Sequence, residues 1–509
     1  MNELEYTPLS DIPGIIDNVR HFYNTGLTKD LAFRKHQLKQ VIRFLEENQM
    51  QLEQAVWCDL KKHRMELLAE VAPVINECKY LLDNLDRLAK PTSPKKWYWI
   101  HALDTTSVRK VPKGVVLIIS PWSYPSYLVF MPVVNAIAAG NCVILKPSEI
   151  APHTTSFLSR TLTGYLDRRF FKIINGSVDE TALLLDQPFD HIHYTGSTMV
   201  GRTVLEKAAK HLTPTTLELG GKLPVLVTSD SANQVTANRI TLGKFTNCGQ
   251  TSLAPDYILV QRDGADSLVK ALGESIRDFY GNMPETSDSY GRIINQQQFD
   301  RLKKMIDGAD PDTVVVGGQI SQDDLYIAPT LIYPASIDGT ELMDNEIFGP
   351  ILPVVPVDSV DDAIAIVNAK PHPLAIYVFS SQQDQINKVI QNTKSGGVLV
   401  NDTLSQVLDA SLPFGGVGAS GLGNCRSDNS FSTFSYERSI IVKSTKFESV
   451  NAVRYPPFDL DKYNVSRIAL YGLPSCIYAK FLTIKTALGS FIAFYFGHSP
   501  PSVNSKVMD

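Results

Sequence analysis

Three short segments of this chain place polar groups directly behind apolar runs, where ligand chemistry is commonly built. Pro121-Trp122-Ser123-Tyr124-Pro125 follows Val115-Val116-Leu117-Ile118-Ile119. Lys146-Pro147-Ser148-Glu149 follows Cys142-Val143-Ile144-Leu145 and sets a cation and a carboxylate at one edge. Tyr194-Thr195-Gly196-Ser197-Thr198-Met199-Val200-Gly201 reads as a strand, a tight turn and a helix start, which offers unpaired backbone N–H groups to a phosphate. Each alone has a plain structural reading, as a solvated turn or an N-capped helix. Behind successive strands they point to a ligand at the carboxyl edge of a parallel sheet.

The elements that must position these groups follow a strand-then-helix rhythm. Val115–Ile119 is continuous, apolar and rich in β-branched residues, which suits a strand buried on both faces. Met131 to Ala139 is expected to be a helix ended by Gly140, Cys142 to Leu145 a strand, His153 to Leu166 a helix, and Phe171 to Ile174 and His191 to Tyr194 strands. Ahead of them, apolar residues at helical spacing from Asp30 to Leu88 imply two or three amphipathic helices. After Glu218 the rhythm restarts at Pro224-Val225-Leu226-Val227 and runs to about Thr403, so a doubly wound α/β architecture is expected.

At 509 residues the chain exceeds what one core usually organises, which implies two large domains with smaller appendages. The formal net charge of −5, without long basic runs, leaves no electrostatic footprint for nucleic acid. Six dispersed cysteines, with no C-x-x-C pair, suggest free thiols in a reducing compartment and give no ligand spacing for a metal. Near the C-terminus, Ile477 to Phe496 is apolar but interrupted by Lys480 and Lys485, and its uncharged part spans about 11 residues against the roughly 20 a bilayer requires. Either an interfacial anchor carrying Phe491, Phe494, Tyr495 and Phe496 or a docked terminal helix fits this pattern.

The ligand segments belong to a longer ordered set. It includes Val111-Pro112-Lys113-Gly114, Glu218-Leu219-Gly220-Gly221-Lys222, Asn247-Cys248-Gly249-Gln250-Thr251-Ser252-Leu253-Ala254-Pro255-Asp256, Glu346-Ile347-Phe348-Gly349-Pro350, Val400-Asn401-Asp402 and Pro413-Phe414-Gly415-Gly416-Val417-Gly418. From Phe33-Arg34 to Arg454-Tyr455-Pro456-Pro457 the chain resembles the aldehyde dehydrogenase superfamily, in its class 3 and fatty aldehyde dehydrogenase branch. The resemblance implies NAD or NADP on a Rossmann-like sheet, with Trp122, Lys146, Glu149, Gly196, Ser197, Glu346 and Phe348 as cofactor residues. It makes Glu218 the general base that activates water.

Three positions depart from the family. Ser252 stands where the resemblance expects the nucleophilic cysteine, Ser123 where it expects the asparagine of the oxyanion site, and Cys425-Arg426-Ser427-Asp428 where it expects Tyr-His-Gly-Lys. Three changes together favour a naturally diverged chain over a single inactivating substitution. A thiol is a few per cent ionised at neutral pH, whereas a serine hydroxyl needs a dedicated base. Cys248, four residues before Ser252, is either a displaced nucleophile or a small buried hydrophobe.

The resulting expectation is an oxidoreductase acting on a hydrophobic aldehyde or related carbonyl with NAD(P), using Glu218 and an altered nucleophile at Ser252. A scaffold with non-covalent redox, isomerase or non-catalytic work is the alternative. The domain expectation is an NAD(P)-binding domain over 1–217 joined by 404–424, a catalytic domain over 218–403, an oligomerisation segment over 425–457 that makes a homodimer, and a tail over 458–509. The anchor reading implies peripheral membrane association on the cytoplasmic side of the endoplasmic reticulum or another organelle.

Overall fold

The computed structural model describes residues 4–96, 101, 104–337, 339–443, 445–446, 448–471 and 476–496. Met1–Leu88 with Val111–Tyr436 forms one compact unit, and Ala89–Lys110 with Glu437–Asp509 a second.

The first unit is built on two sheets, as the strand-helix rhythm predicts. The six-stranded sheet runs Gly421–Leu422, Thr215–Leu219, His191–Gly196, Val115–Ile119, Cys142–Lys146, Phe171–Ile173, parallel except for its first strand. Every residue of Val115–Ile119 and Cys142–Lys146 is buried, which is why both read as unbroken apolar runs rather than alternating ones. The strand order reverses at Val115–Ile119, with later strands added first on one side and then on the other. That reversal opens a crevice at the carboxyl ends, where Trp122, Lys146 and Gly196 lie.

The seven-stranded sheet runs Gly397–Val400, Ala375–Phe379, Pro224–Val227, Tyr257–Gln261, Ile351–Val357, Thr330–Ile332, Val314–Val316, with only the last strand antiparallel. Its two faces carry separate cores, one around Val225, Ile258 and Phe299 and the other around Leu226, Leu259 and Ile364.

The helices at the N-terminal end are Ile12–Asn24, Leu31–Glu47, Gln49–Leu60 and Arg64–Ala89. The helix expected from Met131 begins earlier, at Tyr127, and ends at Gly140 as read. Its early start has a tertiary cause: Glu70, on the Arg64–Ala89 helix, accepts the N–H groups of Ser126 and Tyr127 at 3.1 and 3.3 Å. A carboxylate there satisfies orphan donors and opposes the helix dipole. The same Glu70 forms a 2.7 Å ion pair with Lys62, and both side chains are fully buried.

In the second unit, Thr105–Pro112 pairs with Ser435–Val442 in a two-stranded sheet, and helices Leu460–Tyr471 and Ile477–Phe496 pack together through an Asn464 to Ser490 hydrogen bond of 3.1 Å. No helix among the described residues is long and apolar enough to cross a membrane. Residues 497–509 of the expected tail, and the side chains of Phe494 and Tyr495, lie outside the described residues.

Removing one partner of a buried ion pair leaves an uncompensated charge. Lys62→Met is therefore expected to lower the unfolding free energy by about 3–5 kcal/mol in chemical denaturation, with Lys62→Met/Glu70→Leu recovering part of the loss. An unchanged midpoint for Lys62→Met would show that the pair carries no such weight.

Candidate active site

The expected cofactor residues cluster at strand ends and helix starts. Lys146, at the last position of its strand, pairs with Glu149. Ser197 caps the Thr198–Ala209 helix, its hydroxyl accepting the Val200 N–H, and the remaining first-turn N–H groups have no helix carbonyl to receive them. Trp122 stands edge-on to Phe348, ring centres 5.4 Å apart. Glu346 lies against Gly220, where a Cβ would come within 2.2 Å of its carboxylate, so a larger residue there would displace the Glu346 side chain. Burial, with help from the charge of Asp256, pushes the Glu346 carboxyl up to about 7. A charged pair, a capped helix N-terminus and an aromatic pair at a sheet's reversal point fit a dinucleotide, which these residues would hold.

Beside this edge is a cavity of about 460 Å³ whose wall includes Met65, Leu128, Met131, Leu242, Leu253 and Phe414. Glu218 and Ser252 both face it. Glu218 sits on Thr215–Leu219, level with Thr195 on the neighbouring strand, and the Thr195 hydroxyl donates to its Oε2 at 3.2 Å. His193 Nε2 is 4.0 Å from the same oxygen. From the third side comes Cys425, fixed by a backbone bridge to Phe414, with its sulfur within 4.8 Å of the Glu218 carboxylate. Burial and the Glu218 charge raise that thiol well above its ordinary range. Among the described residues, no side chain hydrogen-bonds to the Ser252 hydroxyl.

The other two expected positions fall elsewhere. Ser123 is buried, and Tyr124 rather than Ser123 joins the cavity wall; the Ser123 carbonyl accepts from Lys62 Nζ at 2.8 Å and Asn247 Nδ2 at 2.9 Å. Cys248 lies in the apolar core near Tyr280 and Tyr290, not on the described wall, and burial raises its thiol far above the usual range. Its reading as a small buried hydrophobe is the one this position matches.

The backbone that presents Ser252 is tightly specified. Asn247, Cys248 and Gly249 all take positive φ, at 52°, 53° and 71°, a run disfavoured for side-chain-bearing residues. It holds because the surroundings over-determine it. The Asn247 amide donates to Gln250 O at 2.8 Å, Gln250 Nε2 donates to Asn247 O and Arg292 O at 3.0 and 2.9 Å, and Ile294 N–H donates back to Gln250 at 3.0 Å. Glu66 completes the frame by accepting the Asn247 N–H at 3.0 Å.

A crevice that fits a dinucleotide, adjoining an apolar cavity that holds a carboxylate, suits a class: a dinucleotide-dependent oxidoreductase. The comparisons narrow it. Residues 16–440 match the model of the aldehyde dehydrogenase family. Aldehyde dehydrogenase family 3 member A2 of Rattus norvegicus is 43% identical over 457 residues, 89% of this chain and 93% of that protein. A Mus musculus protein named aldehyde dehydrogenase, dimeric NADP-preferring, is 42% identical over 88% of this chain and 98% of its own length. The substrate-bound Staphylococcus aureus AldH structure superposes with a TM-score of 0.85 at 38% identity, over 94% of this chain and 99% of that one. The chain belongs to the aldehyde dehydrogenase family, whose members are oxidoreductases that use NAD or NADP.

Two residues of the site are not marked by any motif. Glu66 is one acid among several on the Arg64–Ala89 helix, and nothing local singles it out. His193 does carry a signal: a titratable side chain inside a doubly buried strand needs a purpose.

Glu66 also supplies a pH test. Burial raises its carboxyl from 4.5 to about 7, against the pull of Lys62 and the Asn247 N–H. Between these values the folded protein keeps a proton that the unfolded chain has lost, so this contribution to stability is full at the acid end and disappears as pH rises through about 7. Glu66→Gln is expected to flatten the decline, worth on the order of 2–3 kcal/mol, in unfolding midpoints recorded from about pH 5 to about pH 8. Parallel curves for wild type and variant would show that Glu66 titrates as an ordinary carboxyl.

Proposed function

We propose that this protein oxidises a long hydrophobic aldehyde to its acid, with Glu218 activating water for direct addition to the carbonyl and Ser252 occupying the nucleophile position without a base of its own. The observation that carries this reading is one apolar cavity that holds Glu218 and Ser252 together. Glu218, steadied by Thr195, takes a proton from water as the water oxygen adds to the carbonyl carbon. Bound NAD(P) supplies the acceptor for the hydride. The apolar wall keeps bulk water away and favours an aliphatic chain. The fatty aldehyde dehydrogenase motifs and the family 3 relatives support this substrate class.

Three variants separate the routes, read as NAD(P)H formation with aldehydes of increasing chain length. Ser252→Ala is expected to stay within about twofold of wild type, whereas Glu218→Gln falls by about 10² or more, the usual weight of a general base. Ser252→Cys is expected to gain at least about tenfold, and adding Ser123→Asn to gain further, since thiol attack and oxyanion support act on one transition state. Loss of turnover in Ser252→Ala would move the chemistry onto the serine and sink the direct-hydration route.

The proposal extends to a homodimer, supported by the relative named dimeric, and to peripheral attachment at the cytoplasmic face of an organelle such as the endoplasmic reticulum. Supporting the second point, Phe481, Leu482, Ile484 and Leu488 of the Ile477–Phe496 helix are all exposed, with Lys480 and Lys485 beside them. An apolar face with flanking lysines suits the headgroup boundary. The wild type is expected to float with anionic vesicles and Phe481→Glu/Leu488→Glu to remain in the soluble fraction. A wild type that leaves the vesicles behind would refute attachment.

A further inference from the structure

We propose that His193, Glu218 and Cys425 form a binding site for a divalent cation of the zinc class on the cavity wall. Sequence spacing gave no hint of it, because the three donors lie on separate segments that only the fold joins. His193 and Glu218 occupy neighbouring parallel strands, and the Gly421–Leu422 strand, paired to Glu218 through Gly421, delivers Cys425. One nitrogen, one oxygen and one sulfur donor then lie within 4.8 Å of one another. Tetrahedral zinc, with bonds of about 2.0–2.3 Å, holds its donors roughly 3.3–3.8 Å apart, so closure asks each side chain to move by about half an ångström.

The donor nitrogen is the one turned to the cluster: His193 is buried and lines the cavity, and its Nε2 lies 4.0 Å from Glu218 Oε2. The Cys425 thiol lies near the Glu218 carboxylate, and a dication between them would balance thiolate and carboxylate together, releasing the thiol proton to solvent. Arg426, the neighbouring cation, is engaged elsewhere: it donates to Val407 O and to the Tyr127 hydroxyl and lies over the Phe414 ring.

The arrangement resembles a catalytic zinc site in one respect, three protein donors with a further position facing a cavity. Its chemical consequence depends on the proposed role of Glu218. A carboxylate committed to a cation is a poor proton acceptor, so metal occupancy would take Glu218 out of its role as the base for water. Zinc would act as a reversible brake on the oxidoreductase.

Binding can be read without turnover. The full-length protein, stripped with chelator, is titrated with Co²⁺ and then competed with Zn²⁺. Wild type is expected to develop a thiolate-to-cobalt charge-transfer band that zinc abolishes, to lose the band in Cys425→Ser, and to bind cobalt at least tenfold more weakly in His193→Gln; Cys248→Ala is expected to keep it. X-ray absorption at the zinc edge of the wild type gives a reading that no variant's folding can confound: one sulfur at about 2.3 Å and two or more N/O neighbours at about 2.0–2.1 Å. A band that survives Cys425→Ser, or a zinc shell without sulfur, would overturn the site. Protein that binds cobalt as described but never forms NAD(P)H retains the site and loses the catalytic reading. Protein that turns over aldehyde with no charge-transfer band does the reverse.

Discussion

The buried Lys62–Glu70 pair is the constraint on which the site geometry rests. Neither charge reaches water, so each must be answered locally, and the answers tie separate segments together. Glu70 spends its second oxygen on the start of the Tyr127–Ala139 helix, while Lys62 spends its remaining donors on the Ser123 carbonyl and the face of Tyr124. Asn247 binds that same carbonyl from the far side. One ion pair therefore sets the turn after the Val115–Ile119 strand, the helix behind it and the segment leading to Ser252.

How much of this could be read in advance depended on whether the signal was local. Val115–Ile119, Cys142–Lys146 and Pro224–Val227 were legible because strands buried on both faces must be continuously apolar. Gly140 as a helix end was legible for the same kind of local reason. The Tyr127 start was not, because its cap is Glu70, more than fifty residues earlier in the chain. Glu218, Ser252 and the strand-end Lys146 stood in ordered motifs, so their grouping could be anticipated. Cys425 was noticed as a departure, but its meeting with His193 and Glu218 depends on an antiparallel strand of two residues, Gly421–Leu422, too short to leave a pattern.

The cavity shows how the loss of one group changes the meaning of those that remain. With a hydroxyl at position 252 and, among the described residues, no side chain hydrogen-bonded to it, the proposed reading leaves water activated by Glu218 as the nucleophile. The same carboxylate is also the centre of a nitrogen, oxygen and sulfur cluster. Proton acceptor and cation ligand would be competing uses of that carboxylate.

The left-handed run at Asn247-Cys248-Gly249 carries an evolutionary consequence. Its conformation is fixed by Asn247, Gln250, Glu66 and the narrow approach of Gly249 to the Gly349 carbonyl, and none of these contacts involves the side chain of residue 252. Folding and chemistry are therefore uncoupled at this position: selection acting on stability does not see whether a hydroxyl or a thiol sits there. A lineage can surrender the thiol and later regain it in a single substitution, because the scaffold that aims it is maintained for other reasons.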